Sequence, residues 1–320
     1  MNTVDIALAR HHTYALFGRL YLEGVTAVTL PTLQSIPELA GTLPNTFDAD
    51  EAAAEHQSLF GFNVFPYESI FLDETGLLGG AATDAALESY RQAGFPFGDN
   101  SASADHIGHE LALLAHLCGA EAEALEDNLP LVTERMRGLQ RDFLQSHLVR
   151  WLPPFVLAVK RQERPFYTAL AALTLEFAND HGGAFRETPL EAPLPKPPNL
   201  LDNDKTSLKD IAEFLTTPPH SGIFLSRDDV GRLARQMDLP RGFGDRTQML
   251  TNLMRTAAQY DTLPALLEAI RQHVVAWNND YDQIALDYPT LIPFITPWQT
   301  RLQAAQQILH CIQEQIQTLA

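Results

Sequence analysis

Five prolines fall between Glu187 and Asn199, at positions 189, 193, 195, 197 and 198, and this segment limits the fold more than any other. Proline fixes φ and lacks a backbone donor, so neither a helix nor a central strand continues through such a run; it is extended and semi-rigid. A chain of 320 residues exceeds the usual size of one domain, and a division here leaves two parts that can each bury a core. The expected organisation is a first domain over 1–186, a Pro-rich linker over 187–199, and a smaller second domain over 200–320.

On both sides of the linker the apolar residues recur with helical spacing. Ile107, Leu111, Leu114 and Cys118 describe one buried stripe, and Leu139, Phe143, Leu144, Leu148 and Trp151 another. Pro153-Pro154 interrupts the second stripe, which predicts a kink or a fresh helix start there. Pro165 suits the first turn of a helix carrying Phe166, Leu170, Leu173 and Phe177 and ending near His181-Gly182-Gly183. After the linker, Ser207 with Asp210, Ser226 with Asp229 and Asp245 with Gln248 each set a capping residue three positions before an acid or amide. Helices are expected after each, with two more around Leu263 to Trp277 and Trp298 to Leu319. No alternating run is long enough for a convincing sheet, so the fold class is all-α in both domains.

The formal charge is −18, from 40 acidic and 22 basic residues. That field repels nucleic acid and anionic lipid and favours encounter with basic peptides; keeping the chain soluble is the other reading of the same excess. No uncharged apolar run reaches the roughly 20 residues needed to span a bilayer, and Met1 to Tyr14 lacks the order of a signal peptide. The expectation is a cytoplasmic protein with no stable membrane insertion. Cys118 and Cys311 each sit in an apolar helical pattern, far apart and without a neighbouring cysteine, and are expected as buried free thiols.

Catalytic patterns fail one by one. His106, His109, Glu110 and His116 crowd one helix start, but the zinc-protease arrangement needs a second histidine four residues after the first, and Leu113 stands there. Ser69 and Ser221 lack the Gly-flanked elbow of a nucleophile. Gly79 to Thr83 lacks the lysine of a phosphate loop, and Gly242-Phe243-Gly244 lacks a third glycine. Asp105-His106 reads as an acid-base pair or, alternatively, as a helix start with Asp105 as the cap. What remains is a set of aromatic residues, Phe62, Phe65, Tyr67, Phe71, Phe95 and Phe97, in segments rich in Pro and Gly. Such residues either tuck into the core or line a groove for a partner.

Three segments together resemble the TorD/DmsD/NarJ family of cytoplasmic chaperones. They are Pro66-Tyr67-Glu68-Ser69-Ile70-Phe71-Leu72, Asp105-His106-Ile107, and His147-Leu148-x-x-Trp151-Leu152-Pro153 followed by Phe166-Tyr167-x-x-Leu170-Ala171-x-Leu173. Order and spacing agree over about residues 10 to 180. The chain departs from the pattern in having Ser101-Ala102-Ser103-Ala104 before Asp105, where the family often has Glu-Pro-x, and in its second domain, which compact members lack.

The resemblance implies a TorD-like helical bundle that binds the N-terminal, twin-arginine-type leader of a molybdopterin-containing oxidoreductase. The catalytic subunit is then held as apo-enzyme for cofactor insertion before export or assembly. It implies no catalysis, metal or cofactor of the chaperone's own. Tyr67, Glu68, Ser69, Asp105 and His106 carry the family's recognition role by resemblance, and Phe71, Glu110 and Trp151 complete the expected peptide site. Two other classes stay open: a metal-dependent enzyme built on His106 and His109, and a two-domain adaptor whose second domain carries the partner site. Helical domains joined by an extended linker can also exchange elements, which allows a homodimer.

Overall fold

A computed structural model describes residues 2–98, 102–183, 193–201 and 206–319. Among them the chain is helical with no strand, apart from one isolated antiparallel bridge between Tyr67 and His106. It divides into two compact units. The first comprises Met1–Ser69, Leu77–Leu152 and Glu163–Leu190; the second comprises Ile70–Gly76, Pro153–Gln162 and Glu191–Ala320. The last change of unit along the chain, between Leu190 and Glu191, thus falls inside the proline-rich segment. Two short pieces from the first half of the sequence also belong to the second unit.

In the first unit α1 (Thr3–Glu23) starts with a capping box, Asn2 accepting from the Asp5 N–H and Asp5 from the Asn2 N–H. Short helices follow: α2 (Leu30–Gln34), α3 (Pro37–Ala40), α4 (Ala49–His56) with a wide π turn over Gln57–Gly61, and the start of α5 (Glu68–Leu72). Next come α6 (Ala81–Ala93), α7 (Ile107–Glu126), α8 (Pro130–Phe143), the first turn of α9 (Val149–Lys160), and α10 (Pro165–Gly183). The central contact is α1 along α7. It needs glycine on both sides, since a Cβ on Gly18 would stand 2.8 Å from the Gly108 carbonyl oxygen and one on Gly108 would stand 2.7 Å from that of Gly18.

A buried polar chain crosses this core. His181 donates from Nε2 to Gln140 Oε1 at 3.0 Å, which leaves Nδ1 to accept from the Tyr14 hydroxyl at 2.9 Å. Gln140 in turn donates to the Leu117 carbonyl and to Glu121, whose other oxygen takes Arg137 at 2.7 Å. Burial holds the His181 pKa well below the ordinary imidazole value, consistent with its accepting role.

The helix with Pro153 and Pro154 begins at Val149 and runs through both prolines to Lys160. The expected fresh start therefore lies four residues earlier. The reason is the π turn over Leu144–Leu148, which ends the preceding ladder and places the prolines near the start of a new helix. It is at Pro153 that the chain passes from the first unit to the second.

The second unit holds α11 (Leu208–Thr216), α12 (Pro218–Ser221), α13 (Arg227–Gln236), α14 (Arg246–Gln259), α15 (Leu263–Asp287) and α16 (Ile292–Leu319). The last two are longer than their apolar stripes alone define. Ser207 and Ser226 form the capping boxes read from their spacing, and Asp245 caps α14 without the reciprocal bond. The core contains Trp277, Trp298, Tyr281 and Phe224, all buried. Phe71 stacks on Phe224 at 5.2 Å and meets Phe155 edge-on, so the pieces around 70–76 and 153–162 are part of this core. Arg161 lies over Trp277 and bonds Asp280 at 2.5 Å. Arg301 donates to the carbonyl oxygens of Leu194, Pro195 and Pro219.

Candidate functional site

The segments around Tyr67 and His106 meet in the first unit. The Glu68 N–H donates to the Asp105 carbonyl at 2.9 Å and the Ile107 N–H to the Pro66 carbonyl at 2.9 Å. Tyr67 sets its ring edge-on to His106 at 4.9 Å. The Asp105 carboxylate accepts from the Ser69 N–H at 3.0 Å and from the Thr83 hydroxyl at 2.8 Å. It therefore caps α5, a helix far away in sequence, rather than the helix that follows it. The cap of α7 is His106, whose Nδ1 accepts from the Gly108 N–H at 3.0 Å. That bond puts the ring proton on Nε2. Burial, with the nearby imidazoles of His109 and His56, lowers the His106 pKa to about 3, against a smaller opposing pull from Asp105. The ring is neutral at physiological pH.

Beneath this seam lies a second layer of polar groups. Glu68 Oε2 bonds His147 Nδ1 at 2.8 Å, and His147 Nε2 meets the Ser89 hydroxyl at 3.1 Å. Trp151 donates from Nε1 to Glu110 Oε2 at 3.3 Å, and the side chain of Glu68 lies beside the same buried carboxyl group. Burial is the largest cause that raises the Glu110 pKa well above the usual carboxylate range. The carboxylates of Glu68 and Asp105 add to it, and the bond from Trp151 pulls the other way. Burial and the neighbouring carboxylates thus favour the protonated form of Glu110 over the charged one. Tyr90 closes the layer by donating to the Ala104 carbonyl at 2.5 Å.

Of the residues read from the sequence as a peptide site, only Tyr67 keeps part of its surface open. Glu68, Ser69, Asp105, His106, Glu110 and Trp151 are buried, and Phe71 is buried in the core of the second unit. They shape the seam from below. Thr83, Ser89, Tyr90 and His147 belong to the same cluster and were not expected there. His147 could have been found, because it precedes Trp151 by four residues and so shares its helix face. The segment containing Thr83 reads only as a glycine-rich turn.

Exposed apolar side chains do occur near the seam in sequence: Val28, Phe62, Leu77 and Leu78 are 71%, 51%, 67% and 56% exposed. They belong to a span of unusual charge. Residues 20–90 contain eleven acidic residues and no lysine or arginine. Between 1 and 150 there are 21 acidic and 7 basic residues, a net −14 out of the −18 of the whole chain.

Metal binding through the histidine pair meets a geometric obstacle. His106 Nδ1 is taken by its helix, and the His106 and His109 rings lie edge to face at 5.9 Å. Among the described residues no group of three or more His, Cys, Asp or Glu side chains is arranged to hold a metal ion. None of the described helices is long and apolar enough to cross a membrane.

Residues 29–157 match the family model described as nitrate reductase delta subunit. That range contains both halves of the seam and Trp151. The chain is also similar to a chaperone protein TorD of Vibrio parahaemolyticus, 28% identical over 177 residues, which is 53% of this chain and 81% of that protein. A chaperone protein TorD of Vibrio cholerae is 29% identical over 179 residues, again 53% of this chain and 79% of the relative.

Proposed function

We propose that this chain, which belongs through residues 29–157 to the TorD/NarJ family of chaperones, binds the leader of a molybdenum-dependent oxidoreductase's catalytic subunit. It holds that subunit as apo-enzyme in the cytoplasm until its cofactor is inserted. The family is non-enzymatic, and the chain acts by binding.

The observation that carries the leader reading is the span from 20 to 90, acidic without a single lysine or arginine, in which several large apolar side chains stay exposed. A leader with a basic end and an apolar stretch asks for both features together. Carboxylates draw in the arginines and speed encounter, and apolar surface retains the rest. Tyr67 contacts the peptide, while Glu68, Ser69, Asp105, His106, Glu110 and Trp151 hold the seam that presents it. Phe71 acts at a distance, by fixing the end of α5.

Isothermal titration with the twin-arginine leaders encoded beside its own gene tests this reading. Binding that Tyr67→Ala weakens without lowering the melting temperature is the expected result. Absence of binding by every such leader overturns it. The adaptor alternative is better separated by substitutions on the second unit than by deleting 200–320, because that deletion strips Phe224 from Phe71 and Phe155.

A further inference from the structure

Leu129, Pro130, Leu131 and Val132 follow one another at the corner between α7 and α8 of the first unit, and all are exposed. Among the described residues no longer run of exposed apolar residues occurs. Leu131 is 86% exposed, and Leu129 and Val132 are 47% and 41% exposed. A folded chain avoids such a run unless it serves a contact. Local structure accounts for part of it. α7 ends with Asn128 at φ +55°, the Leu129 N–H donating to the Ala124 carbonyl at 2.8 Å and the Asn128 N–H to that of Leu125 at 3.3 Å. That turn asks for an apolar residue at 129, and Pro130 suits the first position of α8. Neither asks for Leu131 or Val132. The inward face of α8 carries Thr133, Met136, Gln140 and Phe143, and Leu131 stands on the opposite side of the helix.

The charge around the corner bears on what covers it. Glu123 and Glu126 lie in the last turn of α7, at the negative end of its dipole, and no basic residue accompanies them there. Asp127 follows directly. All three are exposed, and among the described residues none of these carboxylates has a hydrogen-bond or ion-pair partner. The next base along the chain, Arg135, donates to the Gln92 carbonyl at 3.5 Å. Carboxylates where the helix disfavours them, beside apolar side chains that water disfavours, are both relieved by one surface of complementary character. We infer that the α7–α8 corner is a docking site for a polypeptide segment of a partner that sets arginine or lysine beside large apolar side chains. Leu131 and Val132 take the apolar side chains, and the three carboxylates take the cations. The turn is hydrogen-bonded before the partner arrives, so little ordering is left to this side. α7 is 20 residues long, which sets the corner about 30 Å from the seam at its other end. The site is separate from the one assigned to the leader and does not rest on that reading.

Methyl spectra of the full chain labelled at leucine and valine, titrated with a synthetic peptide repeating Arg-Leu-Leu, locate the contact. Shifts centred on the methyls of Leu129, Leu131 and Val132 are expected. Leu131→Ser should raise the dissociation constant about fivefold or more, and so should Glu123→Gln, Glu126→Gln and Asp127→Asn combined. Both proteins should melt at or above the wild-type temperature, since Leu131 is exposed and the acids of the last turn oppose the dipole of α7. Peptides repeating Glu-Leu-Leu or Arg-Ser-Ser lack one of the two features and should bind more weakly by a similar factor. Equal weakening by Glu176→Gln, Asp238→Asn and Asp261→Asn, exposed acids elsewhere, would reduce the binding to bulk charge and overturn the inference. Shifts that leave the corner untouched, or equal binding of either control peptide, would overturn it too. Corner shifts that appear on concentrating the protein without peptide would assign the surface to a second copy and count against it in the same way.

Discussion

The Asp105 carboxylate accepts the backbone N–H of Ser69 at 3.0 Å across 36 residues of sequence. The first turn of a helix has donors with no partner inside the helix, and they are usually met by a neighbouring side chain. Here α5 takes its cap from another segment, and the same carboxylate accepts from Thr83. The two segments read from the sequence as walls of a peptide site are therefore bonded to each other before any ligand arrives.

Substitution of Asp105 should register first in stability. Asp105→Ala leaves the Ser69 N–H and the Thr83 hydroxyl without their buried acceptor, at a cost of about 2–4 kcal/mol. Asp105→Asn keeps one acceptor oxygen and should cost less. Urea unfolding of the three proteins checks the order. His106→Ala removes the cap of α7 and should cost about 0.5–2 kcal/mol in the same assay.

Glu110 makes stability depend on pH with a definite sign. Its folded pKa is raised, by burial first and then by Glu68 and Asp105, so the folded state binds the proton more tightly than the unfolded chain. The associated stability is complete below the unfolded value of about 4.3 and is lost as pH rises through the raised folded value. Glu110→Gln is neutral throughout and keeps an acceptor for Trp151. Its melting temperature should exceed that of wild type near pH 9, by the equivalent of about 1 kcal/mol or more, and the gap should close toward pH 5. A wild-type profile parallel to that of the variant would count against a neutral buried Glu110.

The sequence made the helices and most of their ends legible because caps, apolar stripes and prolines act locally. Ser207, Ser226 and Pro165 each do where they stand what their neighbours predict. The site was legible as a pair of segments but not as a geometry. Nothing local to Asp105 indicates that its carboxylate serves α5 instead of α7, or that His106 caps in its place. Phe71 stands four residues from Tyr67 in the sequence, yet its ring stacks on Phe224, more than a hundred and fifty residues later. These are tertiary choices, settled by which partner the packing brings near.

Two helical glycines should respond to alanine in opposite directions. Gly108→Ala puts a Cβ 2.7 Å from the Gly18 carbonyl oxygen and against the Leu22 side chain, forcing α1 off α7. The expected loss is about 1–3 kcal/mol despite the better helix propensity. At Gly138 in α8 the nearest atom is the end of the Arg141 side chain at 4.0 Å. Gly138→Ala should stabilise by about 0.5–1 kcal/mol, since propensity alone is at stake. Thermal melts of the two variants distinguish a close helix crossing from an incidental glycine.

If leader binding uses the acidic span 20–90, its association rate should fall with salt more steeply than its dissociation rate rises. Exposed charges are screened beyond about 8 Å at 0.15 M ionic strength, and steering acts on encounter. Stopped-flow measurements at about 0.05 and 0.5 M salt give both rates. Replacing Asp73, Glu74 and Asp84 together by their amides should reduce the salt dependence while leaving the melting temperature near the wild-type value, since none is buried.

Arg301 ties part of the proline-rich segment to the second unit. Its guanidinium donates to Leu194 and Pro195 carbonyls at 3.0 and 2.8 Å and its Nε to Pro219 at 3.1 Å, and Leu194 is buried beside them. The segment is thus held down at 194–195 by one side chain on α16, which proline stiffness alone would not achieve. Arg301→Ala removes three charge-assisted bonds to backbone oxygens, each worth about 1.5–3 kcal/mol at most. Its main effect should be local, because the core around Trp298 and Leu302 is unchanged. Cleavage within 193–201 by a broad-specificity protease should accelerate about tenfold, with little change in overall melting temperature. Arg301→Lys, which cannot reach several carbonyls with a planar fork, should fall between the two. Equal cleavage rates in all three proteins would mean that the bonds to Leu194 and Pro195 do not hold the segment.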